Sequence, residues 1–398
     1  MIFQVIGKPH PDRASRVEEL RRLGFAWADL EEERYWVDQV VVMNRAVYEE
    51  LMDAAAALWQ IFDKTARFVH GRRDLYALLS VPEVLWDGLD LLEPGPPGQI
   101  SRYARFDFSV SAEGGIRMLE LNADTPTGYV EASVATPWIC GQYGIRTPNI
   151  RMAELVRDAW EAEQPEYAAC VAYGEHLEDS GTIDMLVRHS GRAMRCVDCL
   201  DLRVDEGVLR DGEDRPISSL FALYPKEWMG VDEGGPALAY AIESGRLNIW
   251  NPLHAILLQS KGLQAVIWGL HELGSAFYSR QEHEYIGKYM LPTYNSPVFE
   301  GNYVSKAMFG REGGSVRMYD AQGKLDVADQ DGFDTSTLFS EVYQERAELP
   351  RIALHSGQFH LLTGIFVING IPCGLLGRAG GLITGNASHF IAMGVSEA

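Results

Sequence analysis

Two carboxylates and an amide stand at spacings that could hold a divalent cation: Asp107, then Glu120 and Asn122. From Ala104 to Ser111 the chain alternates, with Arg105, Asp107 and Ser109 on one face and Phe106, Phe108 and Val110 on the other. Ala112–Gly115 reads as a turn. Ile116–Asn122 alternates again, with Glu120 and Asn122 on one face and Leu119 and Leu121 opposite. A symmetric four-residue turn sets Asp107 across from Glu120 and Arg105 across from Asn122. Phe106/Leu121 and Phe108/Leu119 then pair on the buried face. Crowded carboxylates repel unless a cation lies between them. A few hard oxygen ligands, with room left for phosphate and water, suit Mg²⁺. Arg105 brings a rigid fork for phosphate or carboxylate. Taken alone, the same residues also fit an ordinary solvent-facing hairpin.

Further along, Lys306 lies in a strand-like run, Asn302–Met308, ahead of Gly310-Arg-Glu-Gly-Gly314. Glycine tolerates the positive φ that turns backbone N–H groups onto phosphate, although a simple turn has the same composition. No Lys-Ser/Thr follows the last glycine, so this is not a Walker A loop. Lys261 falls among Ile256, Leu257, Leu258, Leu263 and Val266 and needs either an anion or a route to solvent. Gly364–Ile368 and Cys373–Gly377 flank Asn369-Gly-Ile-Pro372 as a hairpin, followed by Arg378. Arg378 is either a surface arginine in a turn or a cation placed beside a phosphoryl group in transfer. Asn386 could add an oxygen near phosphate or serve as a turn residue.

Arg105-Phe-Asp107 followed by Leu119-Glu-Leu-Asn-Ala-Asp-Thr-Pro-Thr-Gly128 resembles the most distinctive block of the glutathionylspermidine synthetase family. Glu175–Asp184, Asn251–Trp268, Tyr303–Gly314 and Val342–Pro350 resemble further blocks in the same order, so the likeness spans roughly residues 100–398. The resemblance implies an α/β (α+β) ATP-grasp fold with its metal-ligand strands early in the chain and a preATP-grasp-like lobe inserted. It implies a ligase in which ATP phosphorylates a carboxylate and an amine attacks the acyl phosphate. Asp107, Glu120 and Asn122 would then hold Mg²⁺, and Arg105 would face phosphate and carboxylate. Lys261, Lys306, Gly313 and Gln344 would bind ATP, with Gln344 on the adenine-hinge strand. Thr125 and Thr127 would touch the acid, and Glu178 and Asp179 would face the amine. Arg105, and Arg378 in its reading as a cation beside the transferring group, are the catalytic candidates. Two departures stand out. There is no room for the family's cysteine amidase domain, so product hydrolysis is not expected. The acidic segment Glu175-His-Leu-Glu-Asp-Ser-Gly181 is sparser than the family's, which leaves the identities of amine and acid open. A catalytically silent ATP- or polyamine-binding module of the same fold is the alternative.

The elements that must position these groups can be outlined. Residues 14–23 read as a short helix with Val17, Leu20 and Leu23 on one face, and residues 45–70 as a longer one. Glu93–Gly98 is a loop. A mixed α/β stretch follows, with helix 151–163 and a buried strand Ala168–Tyr173. Helical segments run from Asn251-Pro252 to Leu273, with Gly274 as the stop, and short strands dominate from Tyr303 onward. Three regions result: 1–135 with helices and the metal hairpin, 136–250 as a substrate lobe, and 251–398 as the nucleotide lobe returning to the core.

Composition bounds the rest. The 398 residues are 46% hydrophobic, enough for a substantial core, and the formal charge of −21 repels nucleic acid and favours cationic partners. No apolar run approaches the ~18 residues of a membrane span, and no leader precedes Arg13. A cytoplasmic enzyme acting on small molecules is expected; a homodimer is left open. Cys196-Val-Asp-Cys199 lacks the second pair a zinc site needs, and Cys140, Cys170 and Cys373 read as core residues. Trp228, Trp250 and Trp268 read as core rather than as a base-stacking platform.

Overall fold

Twenty-five residues from Arg45 to Val69 form one helix, because leucine, alanine and aromatic residues recur along it at helical spacing. Asn44 caps its start, accepting from the Ala46 and Val47 amides, and Gly71 with φ +75° turns the chain away. Its buried stripe, including Leu51, Leu58, Trp59, Phe62 and Val69, lies over the Phe106 face of the hairpin. The computed structural model describes residues 1–29, 34–161, 167–311, 313–329, 337–385 and 387–397. Asn386, and Glu312 of the glycine loop, lie outside the described residues.

In chain order the first region holds β1 (Phe3–Ile6), α1 (Arg13–Leu23), β2 (Trp36–Met43) and α2 (Arg45–Val69). Two short helices follow, α3 (Arg73–Leu78) and α4 (Trp86–Leu91), then β3 (Tyr103–Val110), β4 (Ile116–Asn122) and α5 (Thr136–Gln142). The middle region has α6 (Met152–Glu161), β5 (Ala168–Ala172), α7 (Leu177–Ser190) and β6 (Arg195–Asp198). It continues through β7 (Arg203–Asp205), β8 (Val208–Arg210), β9 (Pro216–Ile217), β10 (Ser219–Ala222), α8 (Gly235–Glu243) and β11 (Asn248–Ile249). Next come α9 (Ala255–Gln259), α10 (Gly262–Glu272), α11 (Arg280–Tyr289), β12 (Thr293–Tyr294) and β13 (Tyr303–Ala307). The last strands are β14 (Arg317–Tyr319), β15 (Leu325–Ala328), β16 (Glu341–Glu345) and β17 (Arg351–Leu354). Then follow β18 (Gly357–Ile368), β19 (Ile371–Gly380) and β20 (His389–Val395).

The architecture is mixed α/β. Among the described residues the largest sheet runs β1-β2-β20-β19-β18-β3-β4, with β17 added on β18. A parallel sheet, β11-β10-β5-β6, forms the middle lobe, and β12-β16-β13-β14-β15 forms a separate antiparallel sheet. The metal-candidate hairpin therefore pairs, through β3, with β18 from the late part of the sequence. Its inner residues Phe106 and Phe108 are fully buried, each contributing roughly 2 kcal/mol through lost water contact.

Asn251 clamps these parts together. Its Oδ1 accepts from the amides of Arg102 (2.9 Å) and Tyr103 (3.0 Å), while Nδ2 donates to the carbonyls of Tyr103 (3.0 Å) and Asp124 (2.5 Å). One buried amide so fixes the entry to β3 and the exit from β4. Beside it, Trp250 stacks on Trp160 of α6 at 4.6 Å.

Several expected bounds change. Leu23 is 36% exposed, so only Val17 and Leu20 anchor α1. The β18–β19 hairpin turns on Asn369 and Gly370 alone, both at positive φ, because Ile368 pairs directly with Ile371. Ile371 and Pro372 thus belong to the strand rather than the turn. Tyr173 lies past the end of β5 and is exposed, and Trp228 and Trp268 are only half-buried. The cysteines are all free, with Cys140, Cys170 and Cys373 buried. Among the described residues no helix is long and apolar enough to cross a membrane.

Candidate active site

The β3–β4 ladder pairs Arg105 with Asn122, Phe106 with Leu121 and Asp107 with Glu120, as the alternation requires. Past Asp107 the register shifts, and Phe108 faces Met118 rather than Leu119. Ser111 N–H bonds the Gly115 carbonyl at 2.8 Å, so the turn is one residue shorter than a symmetric four-residue loop. A bulge at Leu119 makes up the difference. It swings Leu119 out of the apolar face, and its carbonyl accepts from Lys306 Nζ at 3.1 Å.

The three candidate ligands meet. Asn122 Nδ2 donates to Asp107 Oδ2 (3.3 Å) and Glu120 Oε1 (3.2 Å). Arg105 forks onto Asp107 through Nε (2.7 Å) and Nη2 (2.8 Å), and its Nη1 reaches the Thr127 carbonyl at 2.7 Å. Lys261 Nζ lies 3.2 Å from Glu120 Oε2 and donates to the Gly310 carbonyl at 2.7 Å. Burial alone would lift the Glu120 carboxyl, but Lys261, Lys306 and the Asn122 amide hold it at about 2. Among the described residues no group of three or more His, Cys, Asp or Glu gathers as a cage for a metal. The Asn122 amide presents its nitrogen to the two carboxylates; turned over, its oxygen would join them and leave most of a coordination shell to other oxygens, which suits Mg²⁺ better than a structural metal.

Lys306 stands on β13 diagonally across the ladder from Gln344 on β16, on the same face of the sheet. Its Nζ donates to Gln344 Oε1 at 2.8 Å. Burial pulls Lys306 down to about 8, with Glu120 pulling up and Lys261 pushing down further. Both lysines open onto one cavity. Val304, Val316, Met318, Leu349 and Leu362 supply apolar walls at one part; Gly310, Gly313 and Gly314 edge the other. Gly313 has φ +76°, and a Cβ there would meet Ile383 Cγ2 at 3.0 Å. Lys261 sits in the break between α9 and α10 rather than within a helix. The Gln344 amide is spent inward, donating to Gln264 (2.9 Å) and Thr293 (3.1 Å).

A second cavity is lined by Arg105, Asp107, Asn122, Thr125, Thr127, Asp179 and Arg378, among others. Arg105 borders this cavity and not the first. Glu178 is half-buried and is not among its lining residues. Arg378 Nη2 donates to the Gly385 carbonyl at 2.8 Å, which ties it to the loop bearing Thr384. The two cavities share Glu120, Gly313, Leu362 and Thr384 as a common wall.

One part of this wall was not anticipated. Arg311 Nε donates to Glu227 Oε1 (2.8 Å) and its Nη1 to Thr125 Oγ1 (2.8 Å), while Lys226 pairs with the buried Asp124. Asp124 and Arg311 stand inside the blocks that carried the resemblance and could have been flagged. Lys226 and Glu227 had no signal, since only the fold brings the end of the middle lobe to this place.

A profile of the glutathionylspermidine synthase preATP-grasp family matches residues 7–396. The chain belongs to this family. A Haemophilus influenzae protein named, provisionally, an acid–amine ligase is 29% identical over 311 residues, covering 73% of each chain. A crystal structure from Methylobacillus flagellatus, provisionally named a gamma-glutamylcysteine synthetase, overlays with a TM-score of 0.48 and 11% identity. That likeness covers 79% of this chain and 88% of the other. Membership of the synthase family extends over the first hundred residues as well, where the sequence blocks are least telling.

Proposed function

We propose that this protein is an ATP-dependent acid–amine ligase that forms an amide bond through an acyl phosphate. Family membership and the name of the Haemophilus relative support ligase chemistry. The observation that carries the reading is the wall shared by the two cavities, with Glu120 on it between two lysines on one side and Asp107 and Asn122 on the other. A phosphoryl group held at that wall faces both a nucleotide and a second substrate.

In this reading the apolar part of the first cavity takes the base, and Lys261, Lys306 and the Gly313 loop take the phosphates. Gln344 orients Lys306 rather than touching the base. Asp107, Glu120 and Asn122 would hold Mg²⁺, which when bound supplies charge neutralisation and alignment of the phosphates. Arg105, Arg378, Thr125 and Thr127 hold the acid, a peptide or amino-acid-like molecule of the glutathione type. Asp179 faces the amine, a polyamine being the favoured class, and Glu178 acts from outside the cavity. A carboxylate oxygen attacks the γ-phosphorus and the bond to ADP breaks. The amine nitrogen then attacks the carbonyl carbon, phosphate leaves, and the nitrogen gives up a proton. Arg105 and Arg378 offset the charge that grows at the transferring group, and orientation by the two cavities supplies much of the rate. Regions 1–135 and 251–398 together form the core, with 136–250 inserted as the substrate lobe.

The test is phosphate release from Mg-ATP with a panel of acids and amines, followed by mass spectrometry. Release that needs both, with a product mass of acid plus amine minus water, supports the ligase. Release that needs the acid but ignores the amine sinks it, and so does ATP binding without release, which marks a silent module.

A further inference from the structure

Trp27 lies between two segments that both lead into the second cavity. Its indole Nε1 donates to Glu131 Oε1 at 2.8 Å, and the Tyr35 hydroxyl donates to the same oxygen at 3.0 Å. Trp27 is 1% exposed and Glu131 not at all, and Glu131 Oε2 has no hydrogen-bond partner among the described residues. Burial pushes the Glu131 carboxyl up. Glu131 opens a π-helical turn, Glu131–Ala135, an irregularity that frequently accompanies functional sites. Four residues before it stands Thr127, on the cavity wall.

The other side of the indole rests on α7. A Cβ placed on Gly181 would collide with the six-membered ring, lying 2.9 Å from Cη2 and closer still to Cζ3. Only glycine lets the helix approach so near. Two residues earlier on the same helix, Asp179 reaches the cavity. Phe25 closes on Trp27 edge to face at 5.2 Å, which keeps the indole from turning. The N-terminal region thus supplies a rigid spacer between the loop on the acid side and the helix on the amine side.

We propose that Trp27, oriented by Glu131, is a positioning residue that sets the distance between Asp179 and the Thr125–Thr127 loop, and through it the affinity for the amine. This rests on the reading of Asp179 as the amine-facing carboxylate. The indole touches neither substrate. It acts through α7, and the role of Glu131 is to accept a hydrogen bond, not to carry charge.

The test compares Trp27→Phe, Glu131→Leu and Glu131→Gln in the full chain, with glutathione and spermidine as probe substrates. Two readouts are taken: KM for spermidine against KM for ATP, and hydrogen–deuterium exchange over residues 177–190. Trp27→Phe and Glu131→Leu should raise KM for spermidine about tenfold, the effect of one lost buried hydrogen bond, with KM for ATP within about twofold. Both should also speed exchange in α7. Glu131→Gln keeps the accepting oxygen and should match wild type in both readouts. The proposal is overturned if Glu131→Gln behaves like Glu131→Leu, if both KM values rise together, or if α7 exchange is unchanged in folded Trp27→Phe. Wild type that turns over neither probe would count against those substrates alone. The exchange comparison then decides: faster exchange in Trp27→Phe but not in Glu131→Gln supports the spacer, and no difference refutes it.

Discussion

Asn122 Nδ2 bridges Asp107 and Glu120, at 3.3 and 3.2 Å, across the one ladder position where the two carboxylates face each other. Arg105 and Lys261 hold the outer sides of the same pair. The cluster is thus charge-compensated from outside and open toward the shared cavity wall.

Asp107→Asn and Glu120→Gln should each lower turnover roughly a hundredfold or more, since each removes an anionic ligand from the cation that would offset phosphate charge. Steady-state rates across a magnesium titration, with thermal melts to check folding, decide the matter. Either variant within threefold of wild type would count against the metal assignment.

Lys306 gives a pH signature. Its folded value of about 8 lies below the ordinary 10.5, so the unfolded chain binds more protons between those values. Relative to Lys306→Met, wild type should gain stability as pH rises through that window, by at most about 3 kcal/mol. Nucleotide phosphates favour the protonated form, so ATP affinity should fall about tenfold between pH 7 and 9. Calorimetric titration of Lys306→Met should show no such fall.

Asp179→Asn should raise KM for the amine about tenfold while leaving KM for ATP unchanged, because only the second cavity includes it. Glu178→Gln should have a smaller effect, under about threefold. Paired kinetics of the two variants check the order; a larger effect at Glu178 would reverse the assignment.

Asn251→Ala should destabilise by about 3 kcal/mol, since it strips partners from buried backbone groups at both ends of the hairpin. Denaturant unfolding would measure this. A loss below about 1 kcal/mol would mean that water replaces the amide.

How far the sequence reached depends on how local each signal was. Period-two alternation placed Asp107 opposite Glu120 correctly, because a slip would have exposed Phe106. It misjudged Leu119, because a bulge and a shortened turn cancel each other by the time the chain reaches Glu120. Helical periodicity found α2, whose stripe is long and regular. Gln344, assigned from its block to nucleotide binding, lines the first cavity, while its bonds to Gln264 and Thr293 depend on packing from other strands and helices that no local pattern shows. The Asp124–Lys226 pair joins residues separated by 102 positions, and no local pattern marks Lys226.

The place of β20 between β2 and β19 has a consequence for how the chain folds. β1 and β2 reach the rest of their sheet through a strand made some 350 residues later, in a parallel pairing that begins at Trp36 and Phe390. During synthesis β1 and β2 can pair with each other, but the inner edge of β2 has no partner until β20 emerges. Such long-range closure is slow and exposes aggregation-prone surface, so a holding chaperone would have most to do at this stage.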